Sequence, residues 1–416
     1  MRKQIYLWGF FAAMIVLGVL LAGCVTDSSA NQSTNSEATT IVEANNRFAF
    51  DLYSNLRNDP QNQNRNIFFS PFSISSALAI TYEGARGTTA DEIAAVFHFP
   101  KNDSLRRRQF LKVFDEMNQG ENRYTLRMAN ALWAEKTYPF LPGYKQLAQG
   151  FYQAKTSNLD FIQNPEDSRT TINQWVEEKT NNKITNLLPA GAIDDSTRLV
   201  ITNAIFFKGT WMEQFDPKDT KEADFTISPG NIVKVQMMQT DSPFNYTETD
   251  QFQLLEMPYE HSSNTSISMI IILPKDAGSA SWDTALDAPK LTAMENNLSH
   301  TRVEVYVPKF KMETRYSLSE SLGAMGMPTA FNEKKADFSG MDGTKNLSIS
   351  EVIHKAYVTV DEEGTEAAAA TAVIIEATAV KPPDPVFRAD HPFLFVIQEK
   401  ESGNILFMGR VMNPNT

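Results

Sequence analysis

The sequence predicts an α+β fold. Most helix-spaced apolar runs fall in the first half of the chain, the part beyond Gly230 is mostly strand-like, and no repeat or internal linker divides the 416 residues. Hydrophobic residues make up 42% of the chain, ample for one sizeable core, so a single large domain is expected.

The N-terminus stands apart from that domain. Arg2-Lys3 precede an apolar run from Ile5 to Leu20, and Leu21-Ala22-Gly23-Cys24 follows. The run is short for a membrane span, and small residues before a cysteine resemble the bacterial lipoprotein signal. Residues 1–23 therefore read as a signal peptide, with Cys24 the lipidated residue anchoring the exported protein at the membrane's outer face. Residues 24–41, rich in Ser, Thr, Asn and Ala, read as a flexible tether, which leaves 42–416 as the folded domain. Cys24 is the sole cysteine, so that domain has no intramolecular disulfide.

Along the domain, Phe48, Leu52 and Leu56 recur at helical spacing, and Asn66 to Ile80 reads as a buried helix. Ser70 suits its N-cap and Pro71 its first position, and Gly84 with Gly87 would end it. Asp91 to Phe97 is a further short helix. Tyr124 to Glu135 alternates as a strand does, and Ile172, Trp175 and Val176 mark a helix within 165–182. Arg198 to Phe207 is apolar on both faces, which places it inside a sheet covered on both sides and buries Asn203. Strands follow at 233–238, 252–259, 266–273, 302–311, 393–398 and 405–411, with helical interruptions near 282–298 and 318–325.

The formal net charge of −12 argues against nucleic acid as a partner. Arg106-Arg107-Arg108, the densest basic run, reads as a solvated helix face, and Asp91, Glu92 and Lys136 as solvated charges. His98, His261, His300, His354 and His391 form no zinc pattern, phosphate-loop and nucleophile-elbow motifs are missing, and no cofactor is expected. Ser70, Ser73, Asn203 and His354 could be assembled into a hydrolase triad, which geometry defines and spacing does not. Each sits in an apolar run, which favours a satisfied buried polar network instead.

Residues 361–380 carry contradictory signals. Ala367 to Ala370 favour helix, Val373 to Ile375 favour strand, Gly364 is a pivot, and Pro382-Pro383 stop either structure. Such a segment is suited to more than one conformation.

Seven blocks then match one family in order: Asn66-Ile-Phe-Phe-Ser-Pro-Phe-Ser-Ile74, Asn203-Ala-Ile-Phe-Phe-Lys-Gly-Thr-Trp211, Val307-Pro-Lys-Phe310, His354-Lys-Ala, Glu362-Glu-Gly-Thr-Glu-Ala-Ala-Ala-Ala370, His391-Pro-Phe-Leu-Phe395 and Phe407-Met-Gly-Arg-Val-Met-Asn-Pro414. On these the chain resembles the serpins over essentially all of 42–416. The resemblance implies three β-sheets with about eight or nine helices, and an exposed reactive-centre loop. It also implies a suicide inhibitor and no enzyme: a serine protease cleaves the loop, which inserts into the central sheet and traps the protease as an acyl-enzyme.

By family spacing the cut bond is Thr378-Ala379, whose small residues suit elastase-like or subtilisin-like proteases. The resemblance makes Glu362, Glu363, Gly364, Thr365, Glu366, Ala367, Ala368, Ala369 and Ala370 the loop hinge. It makes Ser70, Ser73, Asn203 and His354 the network where the sheet opens, and puts Trp211 and Lys309 with Glu362 beside the loop's point of departure. Alternation adds independent support: Thr365, Ala367, Ala369, Thr371, Val373 and Ile375 would point inward on insertion without a charge among them. Glu366 and Glu376 share the opposite, solvent-facing parity. A monomer is expected. The alternative is a noninhibitory serpin acting as a cell-surface binding module.

Overall fold

A computed structural model of the chain describes residues 40–118, 124–261, 266–276, 282–365 and 384–416. Cys24, the hinge residues Glu366 to Ala370, and Thr378-Ala379 lie outside them. The described residues form one compact unit.

The first helix, Ile41–Asn58, begins where local chemistry dictates. Thr40 Oγ1 accepts the Glu43 N–H at 3.1 Å while the Glu43 carboxylate accepts the Thr40 N–H at 2.7 Å, a reciprocal cap. The run from Asn66 to Ile80 is not one helix, as the sequence reading had it. Ile67–Phe69 is a strand paired with Met408–Arg410, and the helix is Pro71–Gly84. Pro71 has no N–H to donate and holds Ser70 extended, so the helix cannot begin earlier. Likewise 302–311 is two strands, Ser299–Pro308 and Phe310–Ser317, which belong to different sheets.

Six strands make one sheet, in the order Phe310–Ser317, Glu351–Val360, Leu199–Thr210, Tyr124–Glu135 and Lys155–Leu159, with the pair Gly364–Thr365 set against Leu199–Thr210. Nine others join through the 18-residue strand Asn231–Glu248, whose first part pairs with Lys221–Ser228 and whose end pairs with Phe252–Pro258. That long strand makes two blades hydrogen-bond as one sheet, so the three implied sheets are one sheet of six and two linked blades. Nine α-helices occur among the described residues.

The six-stranded sheet is covered on both faces. Leu199, Ile201, Ile205 and Phe207 enter the main core, while Val200 and Ala204 meet Trp133, Ile172 and Val176 beneath the helix Pro165–Lys179. The outer parity of this sheet is therefore not simply solvent-facing; its middle lies under a helix.

Two further readings change. Arg106 is fully buried, 2.7 Å from Glu83 and 4.3 Å over the Tyr82 ring, so it is no solvated charge. Glu92 accepts both the N–H and the hydroxyl of Thr329, at 2.9 and 2.7 Å. In each case the partner comes from another element, out of reach of a local reading.

Candidate functional site: a sheet opening and the segment that fills it

Strands Glu351–Val360 and Leu199–Thr210 run parallel and pair from Glu351 with Val200 to Tyr357 with Phe206. Beyond that point their ends are separated by the hinge. After Val360 the chain turns through Asp361 to Gly364, closed by Asp361 N–H to Gly364 C=O at 3.0 Å and the reverse bond at 3.3 Å. Gly364 and Thr365 then run antiparallel to Thr210 and Gly209. Gly364 is required there: its φ is +151°, and a Cβ would sit 2.1 Å from the Gly209 carbonyl oxygen.

Thr365 is buried, and its hydroxyl shares a 2.8 Å hydrogen bond with Tyr259. Gly209 leaves room for this, because a Cβ on it would lie 2.8 Å from the Tyr259 ring. Tyr259 stacks on Trp211 with ring centroids 4.4 Å apart. Trp211 holds the turn twice, its backbone N–H donating to Glu363 C=O at 2.9 Å and its indole N–H to Asp361 C=O at 3.0 Å. Glu362 accepts from Lys309 at 2.6 Å and from the Thr220 hydroxyl at 2.8 Å. Burial pushes its carboxyl up, but Lys309, a backbone N–H and Thr220 together hold it below the ordinary value.

The middle of the seam is tied from below. His354 and Asn203 are register partners. Burial drives the imidazole pKa down to about 3, so the ring is neutral. Its Nε2 accepts the Ser70 backbone N–H at 3.0 Å, which leaves the proton on Nδ1 to be donated to Asn203 Oδ1. Asn203 Nδ2 donates to Ser73 Oγ and, at 2.6 Å, to Asn130 Oδ1; Asn130 in turn donates to Ser76 Oγ at 2.7 Å. The structure thus brings the four predicted residues together and adds Asn130 and Ser76. Asn130 had a signal: Tyr124, Leu126, Met128, Leu132 and Ala134 share its face, so it is the one amide in an otherwise apolar row.

This is not a nucleophile site. The Ser70 hydroxyl donates to the Leu406 carbonyl, and it is the Ser70 amide that meets the imidazole.

The family model for Serpin (serine protease inhibitor) matches residues 43–414. The chain belongs to the serpin family. A serpin-like protein of Methanosarcina mazei is 40% identical over 96% of each chain. Leukocyte elastase inhibitor A of Rattus norvegicus is 41% identical, over 90% of this serpin and 99% of its own length. Crystalline uncleaved ovalbumin superposes with a TM-score of 0.80 at 31% identity, covering 90% of this chain and all of its own. The serpin fold is therefore established along with the family, which is named for serine protease inhibition.

Proposed function

We propose that this serpin inhibits elastase-like or subtilisin-like serine proteases as a suicide substrate cleaved at Thr378-Ala379. The observation that carries the proposal is the hinge: Gly364 and Thr365 already occupy the first two positions of an added antiparallel strand.

Continuing that register would set Ala367 opposite Phe207, Ala369 opposite Ile205 and Thr371 opposite Asn203, all on the main-core side. The other parity would place Ala368, Ala370 and Ala372 beneath the helix Pro165–Lys179, where small side chains are needed. Glu366 would stand opposite Lys208 and Glu376 opposite Arg198, so each of these two loop carboxylates would meet a cation. About a dozen new ladder hydrogen bonds, at ~1 kcal/mol each, would favour insertion by on the order of 10 kcal/mol before burial is added.

In the proposed reaction the protease serine oxygen attacks the Thr378 carbonyl, the Thr378-Ala379 bond breaks, and the acyl-enzyme is carried away before water hydrolyses it. Incubation with elastase and subtilisin should give complexes that survive SDS, and a released peptide beginning at Ala379 by intact mass. Digestion of the loop without trapping would sink the proposal. We place the anchor at Cys24; palmitate labelling that persists in Cys24→Ser would refute that part.

A further inference from the structure

A cleft of about 620 Å³ lies outside the hinge, where the helices Pro142–Tyr152 and Pro165–Lys179 meet the edge strand Lys155–Leu159. Lys145, Lys155 and Lys179 line it with Gln149 and Trp175, and no Asp or Glu lines it among the described residues. In a chain of net charge −12 that convergence is conspicuous. It joins three elements, so no basic run in the sequence announces it.

Two of these cations, Lys155 and Lys179, are only partly compensated. Among the described residues Lys179 pairs with its sequence neighbour Glu178, at 3.5 Å. The Lys155 ammonium lies 4.8 Å from the Trp133 ring and 5.3 Å from the Trp175 ring, and the carboxylate that acts on it is the same Glu178 at longer range. Burial lowers its pKa first and the like charge of Lys179 next, against a smaller opposing pull from Glu178, and the net unfavourable state is one that a bound anion would relieve.

We propose that this cleft binds a small organic anion bearing two or more phosphate or sulfate groups, held by Lys145, Lys155 and Lys179. The volume falls in the range of small-ligand sites, and three cations around one concavity call for more than one anionic group. The site is coupled to the sheet. Asn130, which lines the cleft, is hydrogen-bonded to Asn203 beneath the seam, and Lys155 lies on the strand paired with Tyr124–Glu135. A ligand selective for the native cleft stabilises the closed sheet by linkage and slows its opening.

The test is thermal unfolding of the full chain with tripolyphosphate and, separately, sucrose octasulfate, at constant ionic strength. A saturable rise in Tm with either probe is expected, the two probes telling phosphate from sulfate recognition. A change in tryptophan fluorescence should accompany it and be lost in Trp175→Phe. Lys155→Gln should weaken apparent affinity at least tenfold, and the triple change to Gln at 145, 155 and 179 should abolish binding. Lys112→Gln, on the helix Asp103–Asn118, should leave it unchanged. Lys155→Met, which retains the packed stem, keeps the test readable if the triple variant misfolds. A shift no larger than matched salt produces, or one that survives Lys155→Gln and Lys155→Met undiminished, overturns the proposal.

Discussion

The hinge end and the middle of the seam between Glu351–Val360 and Leu199–Thr210 are held by different chemistry. At the hinge end the strands are already parted, and Gly364-Thr365 fills the gap with ladder hydrogen bonds, a buried hydroxyl pair and one half-exposed ion pair. At the middle a fully buried neutral network binds His354 and Asn203 to the helix below. The hinge end reads as a start and the middle as a lock. A buried network has no water to replace a lost partner, so it yields all at once, whereas an exposed ion pair is readily exchanged for solvent.

Charge at the start should have the largest effect. Thr365→Arg forces a cation into a position with no exposure, a cost of about 3–5 kcal/mol. The expected outcome is loss of SDS-stable complex by at least a hundredfold while the loop is still cut. Retained trapping would show that Thr365 does not lead insertion. Gly364→Val should come next, because its Cβ meets backbone and not a movable side chain. A fall in stability of about 1–3 kcal/mol and an expelled hinge, seen as faster proteolysis near residue 364, are expected.

At the lock, His354→Ala leaves Asn203 and the Ser70 amide without their partner, at a cost of roughly 2–3 kcal/mol. Native lifetime on heating should shorten and polymer should accumulate; unchanged monomer content would count against a lock. The same variant yields a pH signature. The native imidazole titrates at about 3 and the unfolded one near 6.5, so between those values only the unfolded chain takes up the proton. The contribution of the neutral ring is thus complete above about pH 6.5 and declines as pH falls, by up to about 1.4 kcal/mol per unit. Glu295 and Glu399, raised by burial to about 7, tilt the other way but do so in both proteins. The stability gap between wild type and His354→Ala should therefore narrow from pH 7 to about pH 4 in denaturant melts, and a constant gap would contradict burial of a neutral ring.

Lys309→Gln should have the smallest effect, within about 1 kcal/mol in the same melts, because Lys309 is 38% exposed. A larger loss would mean that the start is held by charge and not by the backbone bonds from Trp211.

Legibility in the sequence followed the reach of each interaction. The caps at Thr40-Glu43 and Ser70-Pro71 are local and could be read directly, as could the alternation of Tyr124 to Glu135. Ser70, Ser73, Asn203 and His354 were recognisable as a group only through family resemblance, since they lie up to 284 residues apart. Asn130 and Ser76 were missed although Asn130 broke an apolar row, because nothing local names its partner 73 residues away. Arg106 was misread for the same reason.

By itself the sequence determined the α+β class, through periodicities that are properties of neighbouring residues, and the family, through seven blocks that match it in order. Only the tertiary structure decided that Thr365 already lies in the sheet, that a helix covers the outer parity, and that three distant lysines share one cleft. Those outcomes depend on which elements pack together, and that is settled by burial and hydrogen bonding across the whole chain.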